Sequence, residues 1–129
     1  MILYRSLSMD ENQLVGWVKQ LASGKRFAQA SCDFAGLVWS GEISQQQQIE
    51  LLQSSEANVR CAVAWAVADL ERDSEAMRYL IAKCFNDIDD RVRVHAWGAI
   101  CSVPFLTVPQ KLQLKKIWEM NTMRWCLNC

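Results

Sequence analysis

Two segments of this chain are near copies of one another, and that repetition limits the fold more than any other feature. Ser54-Ser55-Glu56-Ala57-Asn58-Val59-Arg60 leads into a run from Cys61 to Leu70, and Asp87-Ile88-Asp89-Asp90-Arg91-Val92-Arg93 leads into a run from Val94 to Val103. The two Val-Arg pairs start 33 residues apart, at Val59 and Val92, a period that signals stacked helical repeats. At about 100° per residue, Val59, Val63, Ala66, Val67 and Leu70 share one helix face. Val92, Ala96, Ala99, Ile100 and Val103 share the equivalent face of the second copy.

The rest of the chain reads as helices punctuated by caps. Asp10 with Gln13 opens a helix carrying Leu14, Val15, Val18, Leu21 and Ala22, which Ser23-Gly24 stops. A second helix runs from Lys25 to about Trp39 with Phe27, Ala30, Phe34, Leu37 and Val38 on one side, and Ser40-Gly41 ends it. Ser44 with Gln47 opens a third through Ile49, Leu51 and Leu52; the glutamines Gln45 to Gln48 read as its solvated first turn. The Val59 helix extends to about Arg72. Asp73 or Ser74 then caps a fifth helix with Met77, Leu80, Ile81, Cys84 and Phe85 as its stripe, and a sixth spans Arg91 to about Val103. Pro104 and Pro109 mark a break. From Pro109, Leu112, Lys115, Lys116, Ile117 and Met120 suggest a seventh helix that closes the exposed end of the array. The expectation is one all-α domain over residues 1–129, with hairpins at about 10–40, 44–72 and 74–103 and a capping helix at about 109–127.

At Asn58-Val59-Arg60 and Arg91-Val92-Arg93 the chain resembles HEAT-like repeats, in which an acidic turn precedes a Val-Arg pair, an alanine comes about four residues on, and larger apolar residues come later. The second copy matches with Asp87, Asp89, Asp90, Val92-Arg93, Ala96, Ile100 and Val103; the first has Glu56 alone in its turn and Val63 in the alanine position. The motif covers about residues 51–103. The resemblance implies a short right-handed superhelix of helical hairpins that serves as a binding scaffold; branches of the family include glycosylases that excise alkylated DNA bases and phycobilin lyase-type proteins. Arg60 and Arg93, at the edge of the buried stripe, are each expected to hydrogen-bond the acidic turn of an adjacent repeat.

Charge and cysteine content narrow the function classes. Basic and acidic residues balance at 14 each, so no global field gathers nucleic acid or anionic lipid. No apolar run approaches the roughly 18 residues a membrane span needs, and a cytoplasmic location is expected. Of six cysteines, Cys32, Cys61, Cys84 and Cys101 lie in helical patterns and read as buried thiols; Cys126 and Cys129 form a lone Cys-x-x-Cys without a second ligand pair. His95, the single histidine, has no Ser or Asp at triad spacing and reads as structural. Asp87, Asp89 and Asp90 lack the glycine and closing glutamate of a calcium loop. No catalytic residue, metal or cofactor is expected.

One surface breaks the usual pattern. Opposite the Val59 stripe stand Cys61, Ala64, Trp65 and Ala68; opposite the Val92 stripe stand Val94, Trp97, Gly98 and Cys101; the Lys25 helix offers Ala28, Ser31, Cys32 and Ala35. Two arrangements fit these small, uncharged faces: helices packed closed under the C-terminal helix, or an open groove for a partner. In the open case Cys61, Ala64, Trp65, Ala68, Val94, Trp97 and Cys101 form the contact surface, with Trp65 and Trp97 as anchors and Arg72, Arg91 and Arg93 at the rim. The expected function is non-enzymatic binding of another protein by a stand-alone adaptor or inhibitor, a bacterial toxin-neutralising immunity protein being one concrete case. Nucleic-acid binding or DNA repair, and tetrapyrrole binding, are the alternatives.

Overall fold

The computed structural model describes residues 9–127, and the side chains of residues 9–120. The regular elements among them are all helical: α1 (Glu11–Ser23), α2 (Phe27–Trp39), α3 (Gln45–Leu52), α4 (Ala57–Leu70), α5 (Glu75–Tyr79), α6 (Asp90–Ser102) and α7 (Val108–Leu127). In place of a continuous fifth α-helix, α5 passes directly into a π-helical turn, Leu80–Cys84. The widened turn still buries Leu80, Ile81 and Cys84.

Local chemistry sets the helix ends. Gln13 donates its backbone N–H to the Asp10 carboxylate at 2.8 Å, and Gln47 donates its own to the Ser44 hydroxyl at 3.1 Å; in both cases the glutamine side chain accepts in return from the cap's N–H. Each such cap stabilises its helix by about 1 kcal/mol. Ser74 caps α5 by accepting from Met77 N–H, because Asp73 is engaged by Arg78 through two bonds of 2.7 Å. Gly24 stops α1 at φ 74°, and a Cβ there would meet Asn58 Nδ2 at 3.4 Å. α2 begins at Phe27 instead of Lys25, since Arg26 adopts φ 48°. α4 begins earlier than expected and ends at Leu70, because Glu71 turns left-handed at φ 51°.

α4 is the hub. It packs between α2 and α6, with α1, α3 and α5 also in contact. A helix with neighbours on most sides must be apolar nearly all round, and Val59, Cys61, Ala62, Val63, Ala64, Ala66 and Val67 are all buried. The predicted stripe of α6 is likewise buried, and Leu70 of the α4 stripe is half-buried. α2, α4 and α6 run in the same sense. At their starts, Arg91 Nη2 bonds Asn58 Oδ1 at 3.0 Å and its guanidinium lies 5.8 Å from the Phe27 ring centroid. Toward the ends of α2 and α4, Trp39 Nε1 donates to Ala66 O at 2.9 Å.

The sequence repeat is also a repeat of bonds. Arg60 Nη1 reaches back to Ser54 O and Arg93 Nη1 to Asp87 O, both at 2.9 Å, each closing the turn before its own helix. Arg60 also reaches forward as expected, clamping the Asp87 carboxylate of the next turn with Nε and Nη2 at 3.0 Å each. Arg93 Nη1 serves Asp87 O and Ile88 O in its own turn, and α6 is followed by the Pro104 break instead of by another acidic turn. At the opposite edge Asn58 Nδ2 donates to Ala22 O, so Asn58 links α1 to the Arg91 guanidinium.

Two expectations based on composition fail. Gln45 to Gln48 are not simply solvated. Gln45 Oε1 accepts from Ala76 N–H, Gln47 Nε2 donates to Met9 O, and the buried Gln48 donates to Ile43 O. Their amides satisfy backbone groups that α3 brings close. The helical thiols divide: Cys61 and Cys84 are buried, whereas Cys32 and Cys101 are exposed. The Cys126–Cys129 reading lies outside the described side chains.

The Arg60 and Asp87 side chains are only 12% and 13% exposed, dry enough for loss of one partner to strand the other's charge. Arg60→Ala is expected to destabilise the fold by about 2–4 kcal/mol, and Arg60→Lys to recover only part, since an ammonium cannot reproduce the planar fork. Urea denaturation followed by circular dichroism measures both.

Candidate functional site

Small residues on α2 leave room beside the one large residue on the outer flank of α4. Phe27, Ala28, Ser31 and Cys32 of α2, Cys61, Ala62 and Trp65 of α4, and His95 of α6 line a cleft of about 340 Å³. Trp65 and His95 also border a second depression, of about 220 Å³, completed by Ala68, Asp69 and Glu71 from the end of α4 and by Val94, Gly98 and Ser102 from α6. The shared residues make the two depressions one groove across three parallel helices. A larger dip of about 370 Å³ beside Trp17 is lined by α1 and Met9 alone, and no second helix converges on it.

The repeat explains why the groove exists. Counting along the repeat places Gly98 where the earlier copy has Trp65, and Trp97 where it has Ala64. Trp65 therefore stands as a ridge, with the gap left by Gly98 beside it; a Cβ at Gly98 would meet nothing within 4 Å. Trp65 is braced from behind by Trp39, edge to face with centroids 5.7 Å apart. That bracing removes rotamer freedom before any partner arrives.

The predicted contact residues do not all share this fate. Cys61, Trp65, Ala68 and Val94 line the groove. Ala64 does not, being fully buried where α4 meets its neighbours. Trp97 is half-buried, stacked on Trp118 of α7 at 5.6 Å and 12°. Arg93 is drawn into its turn, and Arg72 lines a separate depression with Trp39 and Gln45. Cys101 is exposed, with its carbonyl accepting from Lys111 Nζ of α7. The closed and open arrangements thus divide the surface: Trp118 of α7 stacks on Trp97, but Leu112, Ile117 and Met120 of the expected capping stripe are exposed, and the α2–α4–α6 face stays open. Gly98, placed by the sequence on the same face as Val94, and Asp69 and Glu71, the carboxylates near it, all border the groove; Phe27, expected on the buried side of α2, was not among the predicted contacts and lines it too.

Electrostatically the groove floor is quiet. Burial raises the Cys61 thiol's pKa, partly opposed by Arg91, and burial pushes Cys84 up to about 12, so neither offers a thiolate at neutral pH. Arg91's hydrogen bond holds the Asp89 carboxyl below the usual range. Among the described residues no group of three or more His, Cys, Asp or Glu side chains is placed to hold a metal ion, and no helix is long and apolar enough to cross a membrane. No protein-family model, curated protein or solved structure matches the chain.

His95 gives the groove a pH signature. Burial, and then Arg91, lower its pKa from 6.5; the unfolded chain therefore binds the proton more readily than the folded one. Its contribution to stability is complete above the unfolded value and is lost as pH falls through the folded one. His95→Ala, which copies Ala62 of the first repeat, is expected to flatten the fall in urea midpoint below about pH 6.5. A second test concerns Glu71, whose φ of 51° suits glycine. Glu71→Gly is expected to raise stability by about 0.5–1 kcal/mol, read as a higher urea midpoint.

Proposed function

We propose that this protein is a non-enzymatic binding module, built as a short HEAT-like stack of helical hairpins, whose α2–α4–α6 groove receives a segment of another protein. One observation carries the reading: a braced, half-buried tryptophan stands in an open channel with small residues beside it, Ala28 and Cys32 on one side and Gly98 on the other. A pre-positioned Trp beside unfilled apolar space is the arrangement that concentrates binding energy at protein interfaces, often about 2 kcal/mol or more for one anchor. An adaptor or an inhibitor would use such a groove in the same way. Nucleic acid fits it less well, since the described side chains that line it include two carboxylates and no Lys or Arg.

Gly98→Arg tests the proposal without disturbing the core. The new side chain enters open space, and replacing a helix-interior glycine favours the helix by up to about 1 kcal/mol, so the variant is expected to unfold no earlier than the natural chain. The full-length protein and the variant are each immobilised and exposed to nuclease-treated and untreated lysate. The expected result is a stoichiometric protein partner retained by the natural chain and lost by Gly98→Arg. A partner that both retain, or retention only of nuclease-sensitive material, overturns the groove reading.

A further inference from the structure

The groove has two unlike ends, and, given the groove reading on which this inference rests, they bear on the chemistry of the partner. At one end lie the starts of α2, α4 and α6, where Phe27, Ala28 and Cys61 line the channel without a charge and the Arg91 guanidinium over the Phe27 ring is ion-paired with Asp89. At the other lie the ends of α4 and α6, where Asp69, Glu71 and Ser102 border the channel. The carbonyl end of α4 adds to the negative character of the Asp69–Glu71 end, whereas at the end of α6 Lys111 Nζ already occupies the Cys101 carbonyl.

The carboxylates at that end are also uncommitted. Asp73, Asp87 and Asp89 are each paired with an arginine: Arg78, Arg60 and Arg91 in turn. Asp69 and Glu71 have no ion pair or hydrogen bond through their side chains among the described residues, and both are exposed. Glu71 occupies a left-handed cap position that glycine would fill without strain; the chain places a carboxylate there at a cost to its own stability. Arg26, the other described non-glycine residue with positive φ, stands at the opposite end of the channel.

We infer that the groove takes a peptide segment of matched polarity, with an aromatic or aliphatic side chain seated beside Trp65 and a Lys or Arg on its flank against Asp69 and Glu71. The apolar contact supplies the anchor, and the charge fixes which way the segment lies. A reversed segment would set its cation against the uncharged Phe27 end and leave both carboxylates unmatched.

A phage-displayed library of random peptides, panned on the full-length protein and counter-screened on Gly98→Arg, tests this. The expected outcome is a set of groove-dependent peptides with an apolar residue followed or preceded at fixed spacing by Lys or Arg. Their affinity for an Asp69→Lys, Glu71→Lys double variant is expected to fall by about tenfold or more, with the loss shrinking at high salt. Groove-dependent peptides that are neutral or acidic, or that bind the double variant as well as the natural chain, overturn the charge inference and leave the groove standing. Failure to enrich any peptide sensitive to Gly98→Arg overturns the groove reading itself.

Discussion

A helix with close neighbours on both flanks and three more elements behind it has almost nowhere to put a charge. That constraint on α4 organises the molecule. From Cys61 to Ala68 the helix carries no ionisable group except the Cys61 thiol, whose raised pKa keeps it neutral. Its Ala62, Val63, Ala64, Ala66 and Val67 are all buried among the surrounding helices. The charged residues return only at the two ends, at Arg60 and Asp69. A polar substitution at Ala62, Val63 or Ala66 would be buried without a partner, a loss on the order of 1–3 kcal/mol for the unmade hydrogen bond alone.

Because the core of α4 is nondirectional, polar bonds at the turns must set how one hairpin sits on the next. Arg60 does this by holding two turns at once, its own through Ser54 O and the following one through Asp87. Asn58 does it again on the other edge, giving its amide hydrogen to Ala22 O and its oxygen to Arg91. Both residues sit at the first turn of α4. The stacking register is therefore specified within a few residues of chain, and the apolar body of the helix follows it.

How far the sequence could be read depended on whether the information was local. The caps at Asp10 and Ser44 lie within one turn of their partners, and the 33-residue period of the Val-Arg pairs shows in the letters alone. The all-helical class and most helix limits were therefore legible. Long-range pairings were not. Nothing near Gln45 indicates that its side chain will meet Ala76 N–H, and the run of glutamines points instead to solvent. The two left-handed residues, Arg26 and Glu71, carry no compositional warning, so the limits of α2 and α4 shifted there. At the groove, the small-residue faces and the one-residue offset between Trp65 and Trp97 were visible, but what surrounds each indole was not.

That difference is one of register. Trp65 falls at the repeat position that faces outward between α2 and α6, whereas Trp97 falls one residue earlier, at the position Ala64 occupies. In α4 that position is enclosed by a neighbouring helix, so only alanine fits and Ala64 is fully buried. In α6 the same position holds a large indole that stacks on Trp118 of α7. One shift of register thus accounts for both features of the face. It gives α7 a flat aromatic surface to close against, and it leaves Gly98, not a second ridge, opposite Trp65. If both copies carried tryptophan at the outward position, the Gly98 space would be filled. With the indole displaced by one residue, Trp97 meets Trp118 of α7 and the space beside Trp65 stays open.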